Sequence, residues 1–138
     1  MWSLKTQEWK DSEFWLSNRR FRRHSFSRND LPLIPATSGI YLMVARPVAT
    51  QPDILELRNV MYVGKSENLK QRFSQHSGNT ATPNIRELLL FFGAKLEFWF
   101  VELPLDKISE AEQCFITCFK PQANTKGIPG RLRPPIPL

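Results

Sequence analysis

The segment Leu96-Glu97-Phe98-Trp99-Phe100-Val101-Glu102-Leu103 constrains the fold most. It is apolar on both faces at its centre, and a strand buried on both faces belongs in the interior of a sheet. Pro104 ends it. Two further runs supply partners: Gly39-Ile40-Tyr41-Leu42-Met43-Val44-Ala45, and Val60-Met61-Tyr62-Val63, which stops at Gly64. Both are rich in residues that suit a pleated surface, and they predict an antiparallel pair. Residues 46 to 56 hold Pro47, Pro52 and polar side chains and read as a long loop between them.

Helical patterns fall between and after these runs. Ser66 is a candidate cap for a helix over roughly 67 to 77, with Glu67 in its first turn, Leu69 and Phe73 as the buried rung, and Arg72 and His76 on a second stripe. Thr82-Pro83 opens a short helix and Gly93 stops it. A last helix starts near Asp106 or Ser109 and runs to Pro121, with Ile108, Ala111, Phe115 and Phe119 on its core face. Cys114 and Cys118 share that helix four residues apart, a separation that strains a disulfide, so they read as free thiols. The two histidines, His24 and His76, are remote from them in sequence, and no structural zinc site is expected.

The chain of 138 residues has 19 Lys plus Arg against 13 Asp plus Glu, a net charge of +6, which favours a polyanionic partner. The longest apolar stretch, Leu88 to Phe92, is far short of a membrane span, and the first residues lack the apolar core of a signal peptide, so a cytoplasmic protein is expected, nucleoid-associated if bacterial. Residues 1–36 form an aromatic-then-basic arm: Trp2, Trp9, Phe14 and Trp15 precede Arg19, Arg20, Arg22, Arg23, His24 and Arg28. A helix capped by Asp11 or Ser12, carrying Phe14, Trp15 and Phe21 on one stripe, is expected to dock on the body. The arginines read either as a solvated face or as phosphate contacts, since their forks match phosphate oxygens in pairs. Residues 127–138 form a proline-rich basic tail with Arg131 and Arg133.

The order Gly39-Ile40-Tyr41, Tyr62-Val63-Gly64-Lys65-Ser66, Asn68-Leu69, Arg72, His76, Glu112 and Pro121-Gln122-Ala123-Asn124 resembles the GIY-YIG nuclease family over roughly residues 38 to 126. The resemblance implies an α/β (α+β) fold, a small three-stranded mixed or antiparallel sheet flanked by helices, with a nuclease domain over residues 37–126. It also implies phosphodiester hydrolysis with one divalent ion, Mg²⁺ or Mn²⁺. Tyr41 then orients or deprotonates the attacking water beside Tyr62, with Lys65, Arg72 and His76 as the positive charges that lower its pKa, or with His76 as a proton relay. Arg72 clamps the transition state, and Gly64 and Lys65 form a phosphate-contacting turn. Glu112, twelve residues before Asn124, is the metal carboxylate; Glu110 sits about 200° around the helix from it and faces solvent. Asn124 fixes the site through hydrogen bonds.

Two departures from the family pattern matter. Tyr41 and Tyr62 are 21 residues apart, which implies an inserted loop around Arg46 to Asn59. No separate recognition domain is expected beside the nuclease segment, so selectivity is expected to come from the arm, the loop, the tail, a second copy or a partner protein. The reading is therefore a DNA endonuclease or nickase. The alternatives are a non-catalytic nucleic-acid-binding module and a protein-interaction module working through the tail.

Overall fold

A computed structural model describes residues 19–46, 59–78 and 82–124. Its sheet has four strands rather than the three expected: β1 (Arg22–Ser25), β2 (Gly39–Ala45), β3 (Asn59–Ser66) and β4 (Leu96–Glu102), in the order β1-β4-β2-β3. All neighbours are antiparallel. β4 is interior, as its two-faced apolar run requires, with Phe98, Phe100 and Val101 all buried. The added strand is Arg-Arg-His-Ser, a sequence without apolar alternation. It is held by pairing to the otherwise open edge of β4, a tertiary contact that overrides weak local propensity. Arg22–Ser25 of the basic run is thus strand, and Arg28 opens a short 3₁₀ turn, Arg28–Leu33. Phe21 packs edge-on against Phe115, with ring centroids 5.5 Å apart. The expected helix around Phe14 and Trp15, the loop over 47–58 and the tail lie outside the described residues.

Among the described residues three α-helices flank the sheet: α1 (Leu69–His76), α2 (Pro83–Phe92) and α3 (Ile108–Phe119). The cap of α1 is Asn68, whose Oδ1 accepts from the Gln71 amide at 3.0 Å, and not Ser66. Ser66 is still strand, paired with Gly39, and its hydroxyl shapes the turn by accepting from the Asn68 N–H and donating to the Asn68 carbonyl. Glu67 consequently precedes the helix. Pro83 opens α2, and Gly93, at φ 52°, closes it. α3 ends on Lys120 in the left-handed region, one residue before Pro121.

The sheet has a core on each face. Tyr41, Met43, Phe98 and Phe100 pack with Leu69 and Phe73 of α1 and Ile85 and Leu88 of α2. Ile40, Leu42, Val63 and Val101 pack with Ile108, Ala111 and Phe115 of α3. Each fully buried side chain of this size stabilises the fold by ~1.5–3 kcal/mol relative to exposure, so the strands that carry the two tyrosines rest on a firm support. Cys114 and Cys118 are free thiols. Among the described residues no helix is long and apolar enough to cross a membrane.

Candidate active site

The centre of the site is a ring placed over a glycine. Tyr41 on β2 pairs with Gly64 on β3, and a Cβ at Gly64 would collide with Cζ and Oη of the Tyr41 ring. The expected reason for Gly64 was approach of a phosphate to the backbone; the packing supplies another, room for the tyrosine. The opposite face of the same ring stacks on Phe98, centroids 5.2 Å apart and planes within 11°. Register places Tyr62 opposite Met43, diagonal to Tyr41, with the two phenol rings 6.0 Å apart. The register of the pair is continuous from Gly39 to Met43 and shifts only between Met43 and Val44.

α1 brings two more groups to the phenols. Tyr41 Oη lies 2.8 Å from His76 Nε2 at the last residue of the helix. Arg72 sits one turn earlier, and its charge acts on Tyr41, Tyr62 and His76. Arg72 Nε and His76 Nδ1 are buried without a hydrogen-bond partner. Leaving such groups unpaired costs about 1–3 kcal/mol each, a cost typical of a surface shaped for something else to bind.

Burial decides the protonation states. It raises Tyr41 well above the usual phenol value, with Tyr62 adding to the rise and Arg72 opposing it without success. Tyr62 is raised as well, first by burial and also by Glu112. His76 falls to about 4, through burial and then Arg72. Burial outweighs the lowering by Arg72, and the other two positive neighbours expected to act on Tyr41 do not: His76 is neutral at pH 7, and the Lys65 ammonium donates to Ser109 Oγ at 2.9 Å instead. At neutral pH the short contact joins a protonated phenol to an uncharged imidazole.

Glu112 on α3 is half-buried, and its negative charge raises both tyrosines, whereas Glu110 is exposed. Of the two carboxylates only Glu112 acts on the phenols. Among the described residues no group of three or more His, Cys, Asp or Glu is arranged to hold a metal. A donor set of one carboxylate, completed by water and substrate phosphate, fits Mg²⁺ or Mn²⁺, which keep much of their hydration, rather than zinc.

Asn124 binds backbone. Its Oδ1 accepts from the Val63 N–H at 2.7 Å and its Nδ2 donates to the Val63 carbonyl at 2.8 Å, between Tyr62 and Gly64. Asn84 on α2 holds the same turn by donating to the Ala123 carbonyl at 2.8 Å. Lys65, Ser66, Asn68, Gln71, Arg72 and Ser109 line an open groove of about 450 Å³ beside these groups. The sequence carries no sign that Ser109, Asn84 and Phe98 belong to the site. Phe98 reads only as core, and the two polar residues carry no local signal of their distant partners.

The five arginines of the basic run do not stay together. Arg19, Arg20 and Arg22 share a pocket with Glu102, Arg23 pairs with Trp99 on the other face of β1, and Arg28 reaches Gly78 beyond the end of α1.

No family model and no curated relative matches this chain. Among solved structures it is similar to the GIY-YIG N-terminal endonuclease domain of UvrC from Thermotoga maritima. The magnesium-bound form aligns with a TM-score of 0.52 and 18% identity over 71% of this chain and 94% of that one. A tyrosine-to-phenylalanine variant bound to the catalytic divalent cation gives 0.51 and 18% over 72% and 94%. At that identity the shared property is the architecture: the chain has the GIY-YIG fold.

Proposed function

We propose that this protein is a GIY-YIG endonuclease or nickase that hydrolyses DNA phosphodiester bonds with a divalent cation, Mg²⁺ or Mn²⁺, held at Glu112. The observation that carries the reading is the Tyr41–His76 contact of 2.8 Å beside an arginine whose buried Nε has no partner. The similar UvrC domain is itself an endonuclease domain bound to a catalytic divalent cation, which supports the assignment.

Cleavage needs an activated water and positive charge where the phosphorane develops its negative charge. The cation, when bound, supplies charge at the phosphate and acidifies water. Arg72 offers a planar fork that stays charged at working pH and spans two phosphate oxygens. A Tyr41 phenolate is costly in so buried a place. Tyr41 avoids it by passing its proton to His76 Nε2 as it takes one from the attacking water. Phosphate bound at Arg72 offsets the positive charge that depresses His76, which makes the imidazole a better acceptor once substrate is present. Tyr62 borders the water's approach, and Asn124 keeps its strand in place.

Nicking of supercoiled plasmid in Mg²⁺ or Mn²⁺ tests the reading. Glu112→Ala is expected to lose at least about 10²-fold in rate, the scale of removing one preorganised electrostatic group, and EDTA to abolish cutting. A wild-type protein that does not cut plasmid or oligonucleotide DNA, or an equally active Glu112→Ala, overturns it.

A further inference from the structure

The fold sorts the arginine run by position. Cross-strand pairing puts Arg22, Phe100, Tyr41 and Gly64 in one row across the sheet, so Arg22 shares the face of Tyr41. Phe21 lies against Phe115 in the other core, which fixes the alternation, and Arg23 points to that opposite face. Arg19, Arg20 and Arg22 line a pocket of about 380 Å³ with Phe100, Val101 and Glu102. All three arginines are exposed, and neither the His24–Asp30 contact nor the Arg46–Glu97 ion pair involves them.

This pocket lies at a particular end of the sheet. Gly39 pairs with both Glu102 and Ser66, so the Glu102 end of β4 and the Ser66 end of β3 coincide. The arginine pocket and the Lys65–Arg72 groove therefore open at the same end, one at the β1 edge and the other at the β3 edge.

We propose, resting on the nuclease reading, that Arg19, Arg20 and Arg22 form a second phosphate site and that the DNA backbone crosses the strand ends from the Lys65–Arg72 groove to this pocket. Three inter-strand gaps of about 4.8 Å separate the edges, about 14 Å in all. Phosphates on one strand of a duplex recur every 3.4 Å or so along the axis and lie farther apart than that along the winding backbone, so a single strand spans both sites within about four nucleotides. Glu102 opposes an anion in the pocket. A lone phosphate is held weakly there, while a polyanion that also occupies the groove gains from both. Arg23 and Arg28, directed elsewhere, stay off this path.

The test is binding of the full chain to a 20-base-pair duplex in EDTA, followed by anisotropy from 50 to 200 mM NaCl. Arg20→Ala with Arg22→Ala is expected to lower the steepness of log K against log salt by about 2, because each lost phosphate contact removes about 0.9. The affinity gap to wild type then narrows about tenfold across that range. Arg23→Ala and Arg28→Ala are expected to keep the wild-type slope, and Glu102→Gln to bind several-fold tighter. A double variant with the wild-type slope, an equal loss in Arg23→Ala or Arg28→Ala, or a Glu102→Gln that binds no better refutes the second site. Because no divalent cation is present, the outcome is independent of cutting: expected slopes with no plasmid nicking would refute the nuclease reading alone.

Discussion

Replacing Gly64 with alanine drives a methyl group into the space of the Tyr41 ring. The new Cβ would meet Cζ, Oη and Cε1 of that ring, and Tyr41 has little room to retreat: it is 2% exposed and stacked on Phe98. Overpacking of this kind costs about 1–3 kcal/mol. For a domain of this size that is a fall in Tm of roughly 4–12 °C. The relief open to the ring is to swing its hydroxyl away from His76 Nε2, breaking the 2.8 Å contact. A displacement of about 1 Å at a reacting group costs on the order of 10²-fold in rate. Calorimetry of Gly64→Ala, paired with plasmid nicking in Mg²⁺, should thus show both a lower Tm and a slow enzyme. In a Tyr41→Ala background the glycine substitution should cost almost nothing in stability, since the obstacle is gone. Phosphate access to the backbone as the reason for the glycine predicts a different pattern, weaker DNA binding with an unchanged Tm. That pattern, or additive stability losses in the double variant, would show that Tyr41 does not lie over Gly64.

Asn124→Ala strands the N–H and carbonyl of Val63, which the side chain holds at 2.7 and 2.8 Å. A loss of about 1–3 kcal/mol is expected, with faster hydrogen exchange at the Val63 amide as the local check. His76 gives a pH signature. Its folded value of about 4 lies below the unfolded value near 6.5, so the unfolded state binds the proton first. The contribution is complete above pH 6.5 and is lost as the pH falls toward 4, at most about 3 kcal/mol. Urea unfolding of wild type and His76→Asn at pH 7 and pH 4 should show this slope in the wild type alone.

The interior strand, the β2–β3 pair and the bracketing of α2 were legible in sequence because each rests on a local cause: a two-faced apolar run, two runs rich in β formers, a proline at the start and a glycine at the end. β1 was not, since Arg-Arg-His-Ser becomes a strand only through the edge that β4 offers it. The cap of α1 moved from Ser66 to Asn68 because Ser66 is engaged in the sheet with Gly39, a partner 27 residues away. At the site, motif order pointed to Tyr41, Arg72, His76 and Glu112. Which charge state each group adopts depends on depth, and depth is a product of packing: the family resemblance implied a phenol acidified by Lys65, Arg72 and His76, and burial made it the reverse.

The Asn124 clamp has a consequence for how copies of this protein meet. Among the described residues β3 is an outer strand, and an outer strand exposes a ladder of donors and acceptors to which another molecule can add its own. The asparagine amide occupies one rung of that ladder with the donor and acceptor of a peptide unit and nothing to continue it. Together with the register shift after Met43, it interrupts the edge next to the two tyrosines, so that sheet-to-sheet aggregation has no clear run there.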